Sequence, residues 1–186
     1  MKKLAILKLA ILLVIARTAV CAQEIIEKSD PALGVRILAL KKVPGVGVNQ
    51  GLMKLDHITW RVSPLIYQKL DGTAKQAAMK IELAGPMNGG FTNAPLIVNI
   101  DGDIKTVPIS EWTNLNTLFG NDVSAIISLR DESFREIAGA KELYLTIVLE
   151  GTPERYTVRL TADKLAAFGA MLSKYDELEP KRTATN

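Results

Sequence analysis

"AIISLRDESFREIAGAKELYLTIVLE", residues 125–150, changes its apolar period twice. Ala125, Ile127 and Leu129 alternate with Ile126, Ser128 and Arg130, the period of a strand with one apolar face. Asp131 then opens a polar run in which Phe134 and Ile137 stand three apart, a helical spacing that Asp131 can cap. Leu143, Leu145, Ile147 and Leu149 alternate with Tyr144, Thr146 and Val148, so a second strand follows. The stretch reads as strand, helix, strand.

Downstream, "GTPE" (151–154) is a hairpin turn, and Tyr156, Val158 and Leu160 form the apolar side of the returning strand. Thr161 can cap a helix whose stripe is Leu165, Phe168, Leu172 and Tyr175. The end, 179–186, lacks large apolar residues and reads as a flexible tail.

Upstream, "ITWRVSPLIYQKLDGTAKQAAMKIEL" (58–83) resembles the opening stretch. Ile58, Trp60 and Val62 alternate with His57, Thr59 and Arg61. Ser63-Pro64 then supplies an N-cap and a proline at the first helical position, which predicts a helix. Tyr67 and Leu70 answer Phe134 and Ile137, and Ala74-Lys75 answers Ala140-Lys141. "TVPISEWTNLNTLF" (106–119) likewise parallels "TVRLTADKLAAFGAML" (157–172), each a strand running into a helix, the first capped by Ser110. Two halves, about 56–119 and 123–175, therefore read as divergent β-α-β-β-α copies or as chance likeness of short patterns. The first copy carries a longer middle that includes the insert 84–95, and its "IDGD" (100–103) is a second hairpin turn. Before the halves lie a polar entry segment (23–33), a strand (34–42) and a Pro/Gly loop (43–51) with a type II turn at Pro44-Gly45.

The expected fold is α+β and β-rich, with mostly antiparallel sheet, about seven or eight strands and three or four short helices. A β-sandwich with helical connections is the alternative. The connections after Val62 and Leu129 are long enough for a parallel crossover, so direction is open there. One compact domain is expected over 23–178.

Residues 1–22 have the parts of a secretory signal: Lys2 and Lys3, an apolar run broken by Lys8, and small Val20 and Ala22 before a cut at Gln23. The apolar run is shorter than the roughly 20 residues of a spanning helix. An exported chain, periplasmic or secreted, is expected, with no transmembrane segment after cleavage. A lipoprotein anchored at Cys21 is the alternative, although Thr18 and Val20 depart from that pattern. Four of the 23 Lys and Arg residues lie in the leader and no acid does. The remaining chain thus holds 19 bases against 20 acids, and its charge gives no support to a nucleic-acid partner. The single cysteine leaves with the leader, which removes disulfides and thiol catalysis.

No catalytic, cofactor-binding or metal residue is assigned. His57, the one histidine, falls on the polar side of its strand, and its use as a base near Asp56 lacks any nucleophile motif. One histidine without cysteine cannot supply the usual zinc set. Asn99, Asp101 and Asp103 occupy the first, third and fifth positions of a calcium loop. Ile104 and Ser110 stand where its glycine and glutamate should be, and Asp101-Gly102 fits a hairpin turn better. "GVGVNQG" (45–51) lacks the third glycine of a phosphate loop. Asp131-Glu132 and Asp176-Glu177 are adjacent acids at helix ends, where capping and solvation explain them. Trp60 on a strand and Trp112 on a helix stripe are both expected in the core.

The functional expectation is an exported, non-catalytic binding or interaction module for a protein partner or small envelope ligand. A carboxylate-dependent hydrolase acting on envelope material, or a structural subunit of an envelope assembly, are the other readings.

Overall fold

The computed structural model describes residues 25–40, 45–46, 59–85, 94–117, 120–148 and 155–178. The leader with Cys21, His57 and Asp56, most of the insert, the turn 151–154 and the tail 179–186 lie outside the described residues.

The chain is β-rich, with two antiparallel sheets and, among the described residues, two helices. The strands are β1 (Ile25–Asp30), β2 (Val35–Leu40), β3 (Gly45–Val46), β4 (Thr59–Lys69), β5 (Lys75–Gly85), β6 (Leu96–Ile100), β7 (Asp103–Val107), β8 (Glu111–Thr117), β9 (Gly120–Leu129), β10 (Glu142–Val148) and β11 (Arg155–Thr161). The helices are α1 (Asp131–Gly139) and α2 (Ala162–Glu177). The larger sheet has the order β1-β2-β4-β5-β9-β8, with β3 paired to the start of β4. The smaller has the order β11-β10-β6-β7.

Period two is what makes these strands. Val123, Ala125, Ile127 and Leu129 on β9 are buried, as are Leu143, Leu145 and Ile147 on β10 and Tyr156, Val158 and Leu160 on β11. These faces meet those of β2, β4, β5 and β6 and the inner sides of both helices in one apolar cluster. Burial of that surface, at about 25 cal/mol per Å², is the main stabilising term. Phe134 and Ile137 of α1 meet Phe168 and Tyr175 of α2 inside it, with Phe134 edge-on to Tyr175 at 5.7 Å and to Phe168 at 6.4 Å. The Trp60 indole N–H is buried with no acceptor among the described residues.

The expected direction after Leu129 is resolved by a change of sheet: α1 carries the chain from β9 in the larger sheet to β10 in the smaller. After Val62 there is no crossover. β4 and β5 form a long antiparallel hairpin with Thr59 opposite Ala84 and Gln68 opposite Lys75.

Several expectations are corrected. Residues 25–30 of the entry segment form β1, and 45–46 of the Pro/Gly loop form β3. Ser63-Pro64 starts no helix and lies in the middle of β4. Proline in a central strand removes a ladder donor; among the described residues β2 pairs with 65–69 of β4 and β3 with 60–61. Pro64 belongs to neither of these two pairings and lies opposite Met79 of β5. Ser110 caps no helix either: its hydroxyl oxygen accepts the Ser128 N–H at 3.1 Å, and the chain continues as β8. The element counts therefore differ from expectation, eleven strands and two helices among the described residues. The first half runs strand to strand where the second runs through α1 and α2, so the two do not share the β-α-β-β-α order.

Candidate functional site

The larger sheet faces solvent on its outer side at the start of β4. Trp60 and Val62 point into the core, so Thr59 and Arg61 point out and are exposed. Register then sets a row across four strands: Arg61 opposite Glu82 on β5, Glu82 opposite Ser124 on β9, and Ser124 opposite Thr113 on β8. Thr59 and Ala84 form the next step of the same side. Together they line a depression of about 420 Å³.

Charge is unevenly satisfied there. The Glu82 carboxylate accepts from the Lys80 ammonium two residues along β5 at 2.5 Å. Arg61 has no hydrogen-bond or ion-pair partner for its guanidinium among the described residues. A guanidinium with no partner among the described residues can take a carboxylate or another oxoanion in a two-point contact; beside it stand Thr59 on β4 and Glu82 on β5, and the Ser124 and Thr113 hydroxyls lie two and three strands away on the same side. Nearer the other end of β4, burial first and the Glu111 carboxylate second raise the Tyr67 phenol above its ordinary range.

The acids singled out in the sequence are engaged elsewhere. Asp101 and Gly102 both have positive φ, 51° and 101°, and form the β6–β7 turn. The Asp101 carboxylate accepts the backbone N–H groups of Lys141 and Glu142 at the start of β10, at 2.8 to 3.1 Å. Asn99 accepts the Gly102 N–H at 2.8 Å, and Asp103 pairs with Lys105 at 3.1 Å. The calcium-loop oxygens are thus taken by the protein. No cluster of three metal-ligating side chains occurs among the described residues.

Asp131 and Asp176 are brought together where α1 meets α2. Asp131 is the first residue of α1, after Arg130 at the N-cap, and its carboxylate accepts the Tyr175 hydroxyl at 2.6 Å. Asp176 pairs with Arg135, which holds its carboxyl below the usual range. Glu177 pairs with Lys174 at 2.8 Å. This is a clamp between helices, with each acid already bound.

Trp112 is misplaced by the sequence reading. It lies on β8, not on a helix, and is 43 % exposed. The Arg61–Glu82–Ser124–Thr113 row was not visible either. The false helices at Ser63 and Ser110 hid the long β4 and β8, and cross-strand register is not written in any local period.

No protein-family model, curated protein or solved structure matches the chain.

Proposed function

We propose that the chain is an exported envelope protein acting as a non-catalytic binding module, and that its contact surface is the solvent side of the larger sheet around Arg61. One observation carries this reading: an exposed guanidinium, without a partner among the described residues, at the head of a cross-strand row that runs through Glu82 to the hydroxyls of Ser124 and Thr113. Elsewhere Asp101, Asp131, Asp176 and Glu177 are each matched to a partner. The ligand chemistry it favours is an extended group bearing a carboxylate or similar anion, with Glu82 and Lys80 beside it as a second polar contact. Export rests on the leader pattern of residues 1–22. No helix among the described residues is long and apolar enough to cross a membrane.

The hydrolase reading has less support, because a glycosidase needs two carboxyl groups facing across a substrate. Glu82, Asp131 and Asp176 are each held by a neighbour instead.

The test compares immobilised wild-type protein with Arg61→Ala and Glu82→Gln in recovering envelope components. Arg61→Ala is expected to lower recovery about tenfold, the effect of losing roughly 1.4 kcal/mol from a charge-assisted contact. Equal recovery by both proteins rejects this surface. Mass measurement of the exported protein checks the leader, with a mass for residues 23–186 expected and a lipid increment on Cys21 contradicting it.

A further inference from the structure

The strands at the ends of the two sheets are protected unequally. β1 carries Glu27, Lys28 and Asp30, β7 carries Asp103 and Lys105, and β11 carries Arg155 and Arg159. Charged residues on an edge strand are a common guard against pairing with another chain. β8 has Glu111 at its first position, and the six residues after it, Trp112 to Thr117, carry no charge, proline or glycine. Among the described residues β8 pairs with β9 alone. Trp112 stands on it as an exposed aromatic, the residue class that anchors interfaces.

Backbone direction can be assigned along β8. The Ile126 carbonyl accepts the Ser110 N–H at 3.0 Å, and Glu111 lies opposite Ile126. That carbonyl therefore faces β8, and Glu111, Thr113, Leu115 and Thr117 direct their backbone groups toward β9. The alternation leaves the N–H and C=O of Trp112, Asn114 and Asn116 facing away from the sheet.

We propose that β8 is the edge through which two copies of this chain pair, antiparallel, about a two-fold axis at Asn114. In that register Asn114 meets Asn114 of the other copy and Trp112 meets Asn116. Every outward backbone group from 112 to 116 then finds a partner. Glu111 falls opposite Thr117, so the two carboxylates lie at opposite ends of the interface. The same operation centred on β1 sets Glu27 against Glu27 or Lys28 against Lys28, like charges that oppose pairing. The pairing joins two six-strand rows into one continuous sheet and is isologous. It does not depend on the binding role of Arg61.

Sedimentation of the purified protein from micromolar to several hundred micromolar tests this. A dimer is expected for the wild type and a monomer for Asn114→Lys and Asn114→Glu, each placing like charges on the axis. Mixing those two variants should restore a dimer containing one of each, a rescue that a folding defect would not give. Asn114→Pro, which removes an outward donor, should also be monomeric with an unchanged circular dichroism spectrum. A wild-type monomer over the whole range overturns the proposal. So does a dimer untouched by Asn114→Lys, or protection of the β8 amides by a different polypeptide in place of a second copy.

Discussion

Tyr175 fastens three elements at one residue. Its ring packs edge-on to Phe134, its hydroxyl donates to Asp131 of α1, and its backbone carbonyl accepts the Lys75 ammonium of β5 at 2.5 Å. That ammonium also stands 4.1 Å from the centre of the ring. Burial first, then the hydrogen bond to Asp131, raises the phenol above its ordinary range. The folded state therefore holds this proton more tightly than the unfolded chain does. The resulting stability is present in full below the unfolded value of about 10 and is lost as pH rises toward the folded value. Tyr175→Phe keeps the ring contacts and is expected to cost about 1–2 kcal/mol at neutral pH through the lost hydrogen bond. It should also flatten the alkaline loss, leaving Tyr67 to contribute in the same direction. Urea unfolding at pH 7 and at steps above pH 9 measures both. An alkaline slope unaltered by the substitution would count against this assignment.

At the scale of elements, the β6–β7 hairpin depends on two residues with left-handed backbone. Gly102 has φ 101° and nothing within 4 Å of where a Cβ would stand. Gly102→Ala is thus expected to cost about 1 kcal/mol from conformation alone, without a clash. Asp101→Ala should cost more, since it removes the acceptor for the amides of Lys141 and Glu142 where β10 begins. Thermal unfolding of the two variants orders them, and equal costs would argue against the tie to β10. This hairpin was legible because Asp-Gly has one strong local reading. β9, β10, β11 and α2 were legible for the same reason: each buries one face, so its period survives in the sequence. β4 was not. Ser63 and Leu65 on its outer side are buried along with Val62, Pro64 and Ile66, so the alternation disappears where the Ser-Pro pair imitates a helix start. β8 was hidden by Ser110, a genuine capping side chain that satisfies a neighbouring strand instead of a helix. The Arg61 row was out of reach altogether, because it depends on which strands are neighbours.

Across the whole molecule, the two sheets are interleaved along the chain. β6 and β7 lie between β5 and β8 in sequence but belong to the smaller sheet, and β9 returns to the larger before α1 leads back to β10. Their apolar faces share one cluster with both helices. One unfolding transition is therefore expected, with far-ultraviolet circular dichroism and tryptophan fluorescence changing at the same urea concentration. Two separated midpoints would mean that the sheets come apart independently. The interleaving also sets an order of assembly. As the chain is made from its N-terminus, β6 has β7 on one side and must wait on the other for Leu143–Thr146 of β10. Until those residues arrive, one edge of β6 lacks its hydrogen-bonding partner, and the last third of the polypeptide decides whether that edge is closed within the chain or pairs with something else.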